Sequence, residues 1–98
     1  MPPVTFALSP ADAAIVRAAS RRHGVRRVRV FGSVARGDAR PESDLDLLIA
    51  LEPGRGFRDL MDFCGEVEAS LDRRVDVVME DGLSSHIKER VLAEAVTL

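Results

Sequence analysis

A chain of 98 residues can hold one domain around a single modest core and is too short for a separate substrate domain. With 46% hydrophobic and 31% charged residues it has the composition of a soluble globular protein, which excludes disorder throughout, and a net charge of −2 points to neither nucleic acid nor membrane as a partner. Its one cysteine, Cys64, rules out an internal disulfide, and with no leader-like N-terminus and no run of about 18 apolar residues the cytoplasm is the expected location.

Ser9-Pro10-Ala11-Asp12 reads as a helix start, with Ser9 as N-cap, Pro10 in the first turn and Asp12 placed to return a capping-box hydrogen bond. The helix should run over residues 10–23, bury Ala14, Ile15, Ala18 and Ala19, and stop at Gly24. In the following VRRVRVF, Val28 and Val30 alternate with Arg27 and Arg29, the pattern of a strand with one buried and one wet face, ending at Gly32. Leu45 to Leu51 is almost uninterruptedly apolar, so this strand should be central and covered on both faces. After the turn cluster Pro53-Gly54-Arg55-Gly56, helical spacing links Phe57, Leu60, Met61, Cys64, Val67 and Leu71. At that position Cys64 reads as a packed thiol rather than a nucleophile. Val75 to Met79 predicts a third strand, and residues 84–95 a last helix with Ile87, Val91 and Ala95 on one side. The order α-β-(short α)-β-α-β-α makes residues 1–98 a single α+β (α/β) domain, a small mixed sheet of three strands packed with helices.

Strand side chains alternate faces, so Asp44 and Asp46 point one way while Leu45, Leu47, Ile49 and Leu51 pack on the other side. If the third strand adjoins the second, Asp76 joins them and three carboxylates converge. Two unit charges about 4 Å apart repel by about 4 kcal/mol at an effective dielectric near 20, so such a group calls for a cation. Mg²⁺ suits it, being held by one or two carboxylates together with substrate phosphate oxygens and water, whereas the His and Cys cluster that zinc prefers is missing. Upstream, Gly32 and Ser33 open a short helix whose backbone N–H groups and hydroxyl can cradle a phosphate. Arg36 can neutralise phosphate oxygens or brace the loop, and Ser43 can cap the turn that aims Asp44.

Gly32-Ser33, ten intervening residues and Asp44-Leu45-Asp46, with Ala35-Arg36-Gly37 and Ser43 inside, resembles the signature of the polymerase-β-type nucleotidyltransferases, and most of all their minimal (MNT) branch. The resemblance extends over nearly the whole chain and implies the nucleotidyltransferase fold. It implies that Asp44 and Asp46 hold two Mg²⁺ ions, that Asp76 completes one metal site and helps activate the acceptor hydroxyl, and that Gly32 and Ser33, aided by Arg36 and Ser43, bind the phosphates of ATP. It further implies a partner, a HEPN ribonuclease toxin whose tyrosine hydroxyl receives AMP, making this chain the antitoxin of a type VII-like pair. Two competing readings stand beside it: a non-catalytic antitoxin that neutralises its partner by occlusion, and a transferase acting on RNA or a small molecule.

Six arginines fall between positions 17 and 29. They read as a solvated face paired with local acids, with an RNA-binding or acid-binding surface as the alternative. Asp76 has a bland reading as well, as the partner of Arg73 or Arg74. His23 and His86, near helix ends, are assigned no chemistry.

Overall fold

The computed structural model describes residues 8–40 and 43–98; the N-terminal segment read above for leader features lies outside them. Helix α1, Pro10–Arg22, begins where the sequence predicts: Ser9 Oγ accepts the Asp12 N–H at 3.0 Å, although Asp12 makes no return bond, so only half of the capping box forms. Gly24, in the left-handed region at φ +71°, follows the cap residue His23 and turns the chain into strand β1, Val25–Phe31. The face that α1 buries is Ala13, Val16, Ala19 and Ser20; of the predicted Ala14, Ile15, Ala18 and Ala19 only Ala19 is on it, the others being turned by about one residue. Ser20 is tolerated there because its hydroxyl donates to Val16 O at 2.9 Å.

After β1 come the one-turn helix α2, Gly32–Arg36, strand β2, Leu45–Leu51, helix α3, Phe57–Leu71, and strand β3, Val75–Met79. A 3₁₀ turn at Glu80–Gly82 leads to helix α4, Ser85–Glu94, and a two-residue strand β4, Val96–Thr97. The sheet order is β3-β2-β1-β4, with β2 antiparallel to β1 and parallel to β3. Four strands replace the expected three because β4 adds to the free edge of β1, pairing Val96 with Val30 and Thr97 with Arg29. As predicted, β2 is interior; Leu45, Leu47, Leu48 and Ile49 are fully buried.

One face of the sheet carries the core. Val28 and Val30 of β1, Leu45, Leu47 and Ile49 of β2 and Val75 of β3 pack with Val16, Ala19, Phe63 and Val67 from α1 and α3. The two helices are also tied by Glu66, which accepts from the Arg22 guanidinium and pairs with His23 Nε2 at 2.7 Å. Helix α3 packs Leu60, Cys64, Val67 and Leu71 on the core as predicted, but a small rotation buries Phe63 in place of Phe57 and Met61, which stand 73% and 53% exposed. Among the described residues no helix is long and apolar enough to cross a membrane.

The rotation of α3 yields a stability test. Phe63→Ala removes a fully buried ring from the core and should cost about 3–5 kcal/mol of unfolding free energy. Phe57→Ala should change it by less than about 0.5 kcal/mol, both read from urea unfolding midpoints.

Candidate functional site

β1 and β2 bring the two ends of the motif together. Phe31, the last residue of β1, is the register partner of Asp46, so Gly32 leaves the sheet directly against the Asp46 side chain. Gly32 has φ +75°, and a Cβ at this position would collide with Asp46 Oδ2. Glycine is therefore required twice over, by backbone conformation and by space. The parallel pairing of β2 with β3 places Asp76 beside Asp46, with both side chains on the sheet face opposite the core.

Burial, followed by the negative charges of Asp76 and Asp44, pushes the Asp46 carboxyl above the usual carboxylate range, and Arg36 offsets part of this. Asp44 is half-buried just ahead of β2 and Asp76 is exposed. Among the described residues neither makes an ion pair: Arg73 Nε instead reaches Ser43 O at 3.4 Å, so the pairing of Asp76 with Arg73 or Arg74 is not seen. Among the described residues no three His, Cys, Asp or Glu side chains are gathered closely enough to hold a metal ion, so the expected convergence of Asp44, Asp46 and Asp76 into one three-carboxylate group is not seen. The register pair Asp46 and Asp76 is all-oxygen, the donor type a hard divalent cation such as Mg²⁺ takes one or two at a time, together with phosphate oxygens and water.

Gly32, Ser33, Arg36 and Asp46 form one side of a cleft of about 560 Å³, and α4 forms the other through Arg90 and Glu94, with Ile87 and Val91 between them. That volume is in the range of small-molecule sites. Gly32 N–H donates to Glu94 Oε1 at 2.8 Å, and Arg36 Nη1 donates to the same oxygen at 3.3 Å. Arg36 Nε also binds Asp38 Oδ2 at 3.3 Å, and this bond, with the charges of Asp38 and Glu94, raises the guanidinium pKa further. Ser43 does not line the cleft. Its Oγ accepts the Arg40 N–H at 2.8 Å, which holds the loop ahead of Asp44 as the sequence reading expects.

Sequence reasoning missed Arg90 and Glu94. They lie 58 and 62 residues from Gly32 and share no spacing signal with it. In the arginine-rich segment Arg22 pairs with Glu66 and Arg27 with Glu80, as a solvated face would, and Arg27 also lines, with Arg17, Arg21 and Arg26, a smaller cleft of about 230 Å³ at the far end of β1 from Asp46. Cys64 is half-buried, and burial pushes its thiol pKa up, which disfavours the reactive thiolate.

Residues 13–98 match the family described as nucleotidyltransferase domain. Protein adenylyltransferase MntA of Thermococcus cleftensis is 41% identical over 75 residues, which is 76% of this chain and 76% of that protein. A solved structure of a provisionally named minimal nucleotidyltransferase is 50% identical and superimposes with a TM-score of 0.82 over 90% of both chains. The fold is also that of a structure of tri-AMPylated Shewanella oneidensis HEPN toxin in complex with MNT antitoxin, with TM-score 0.68, 15% identity, and 89% of this chain and 68% of that one covered.

The crowding of acids sets a pH dependence. With its pKa raised in the folded state, Asp46 costs no stability below the ordinary carboxylate range, where it is protonated folded and unfolded alike. Its full cost appears only above the raised value, because between the two the folded state binds more protons. Asp46→Asn should therefore raise Tm at pH 7 relative to wild type, and the gain should vanish as the pH falls below about 4, the ordinary carboxylate range. Thermal unfolding of both proteins across this range, in the presence of EDTA, measures it.

Proposed function

Because the chain belongs to the nucleotidyltransferase-domain family, we propose that it transfers AMP from ATP to a tyrosine hydroxyl of a HEPN-type ribonuclease toxin in the cytoplasm, and so acts as that toxin's antitoxin. The observation that carries this reading is the juxtaposition of Gly32 and Ser33 with Asp46 along a cleft of nucleotide size, Asp76 being the strand neighbour of Asp46. A relative named as a protein adenylyltransferase supports the chemistry, and a fold neighbour solved with a HEPN toxin supports the partner.

In this reading Asp44, Asp46 and Asp76 hold two Mg²⁺ ions. When bound, these neutralise the triphosphate and lower the pKa of the acceptor hydroxyl. The protein's own groups bind and orient. Gly32 and Ser33 take the β- and γ-phosphates, and Arg36, on the same wall of the cleft, offsets their charge. Ser43 keeps the loop fixed so that Asp44 stays aimed. Asp76, the most open of the three acids, is placed to accept the acceptor's proton. The acceptor oxygen forms its bond to the α-phosphorus as the bridge to the β-phosphorus breaks. Pyrophosphate leaves, the proton passes to Asp76 and on to water, and AMP stays on the acceptor. An exposed Asp76 suits an acceptor carried in by another protein.

The test uses ATP labelled at the α-phosphate, Mg²⁺ and the HEPN protein encoded beside this chain. Label should reach the HEPN protein, and Asp44→Asn with Asp46→Asn should cut transfer on the order of 10²-fold or more, with complex formation and toxin neutralisation followed in parallel. Undiminished transfer by the double variant would refute the chemistry, and neutralisation by that variant without transfer would establish occlusion instead.

A further inference from the structure

Helix α4 closes the cleft but is lightly held. It has no fully buried residue, Ile87 is 52% exposed, and the helix is anchored beyond its end by the two-residue strand β4. Arg90 and Glu94 are one turn apart on it and both line the cleft. Such a pair could bond to each other, yet Glu94 turns away, to Gly32 N–H at 2.8 Å and Arg36 Nη1 at 3.3 Å. Arg90 is left with no ion pair or side-chain hydrogen bond among the described residues.

The Glu94 carboxylate has thus settled on a backbone N–H and a guanidinium beside Ser33, the kind of donors a phosphate oxygen seeks. It does so in the cleft that Asp46 lines, and its charge adds to the repulsion that Asp46 already feels from Asp76 and Asp44. A fourth carboxylate in an acidic corner is favourable only while those two donors lack a better anion. The cleft walls carry Arg36 and Arg90 against Asp46 and Glu94, so the withdrawal of Glu94 leaves a net positive wall for an incoming polyanion.

We infer that α4 belongs to the triphosphate site: Glu94 occupies the phosphate donors as an internal stand-in until ATP displaces it, and Arg90 then binds the phosphate chain. This rests on the reading that Gly32 and Ser33 hold the triphosphate, and it assigns ATP-binding roles to two residues outside the glycine-serine and aspartate motif. Arg90 is a ligand-binding residue and Glu94 a gate.

Calorimetric titrations with Mg-ATP, Mg-tripolyphosphate and AMP, on wild type, Arg90→Gln, Arg90→Lys and Glu94→Gln, test both roles. Arg90→Gln should weaken ATP and tripolyphosphate binding about tenfold and AMP binding by less than about twofold. Arg90→Lys, which keeps the charge and loses the fork, should fall between. Glu94→Gln, which keeps an oxygen acceptor for Gly32 N–H and loses the charge, should bind ATP and tripolyphosphate roughly three- to tenfold more tightly with AMP unchanged. Circular dichroism verifies that each variant is folded. Wild-type affinity in both Arg90 variants overturns the role of Arg90, and weaker ATP binding by Glu94→Gln overturns the gate. Wild type that binds neither ATP nor tripolyphosphate overturns the underlying site as well, a result distinct from the other two.

Discussion

Parallel pairing of β2 with β3 sets Asp46 and Asp76 side by side on one face of the sheet, and the rest of the site depends on that register. Neighbouring strands lie about 4.8 Å apart, close enough for the two carboxylates to repel, and after burial the charge of Asp76 is the largest influence holding the Asp46 pKa up. The opposite face prevents the strands from slipping to relieve this. Leu45, Leu47 and Ile49 are fully buried there, and at about 1.5–3 kcal/mol for each buried side chain the core outweighs the repulsion. A slip of one residue would turn all three leucine and isoleucine side chains out and the aspartates in. The strain is therefore local, and a ligand able to relieve it binds to an acid pair that the core has already positioned.

The two sides of the cleft differ in rigidity for the same reason. Gly32, Asp46 and Asp76 sit on or next to strands locked by the core, which gives them fixed positions. Arg90 and Glu94 come from a helix with no fully buried residue. Few buried contacts mean a low cost of local movement. One wall of the cleft is thus held by the core, and the other can move at low cost. The exposed Phe57 and Met61 of α3 lie on the core side of the sheet, away from this movement.

Much of this was legible in the sequence because it depends on local pattern. Alternating valines and arginines, an uninterrupted run from Leu45 and the Val75-Asp76-Val77 segment mark three strands, and the spacing from Gly32 to Asp46 marks the loop that joins two of them. Helix faces were less legible. On α3, Phe57 and Met61 belong to an apolar stripe as regular as that of Leu60, Phe63 and Val67, and only packing against α1 and the sheet decides which is buried. On α1 small alanines on both sides blur the boundary in the same way. Strand β4 has two residues, too few for any periodicity, and exists because β1 offers it an edge. Glu94 and Arg90 carry no local mark at all, since their meaning comes from α4 folding back over Gly32 across some 60 residues of chain.

The dependence of nucleotide binding on a divalent cation is the most direct measure of whether the acids on β2 and β3 form a cation-dependent site. ATP titrated into the protein with millimolar Mg²⁺ and again with excess EDTA gives the answer in one pair of isotherms. The acids described here require affinity to fall at least about tenfold when the cation is removed; equal affinity in both would show that the carboxylates do not repel the triphosphate and that the account of the site is wrong.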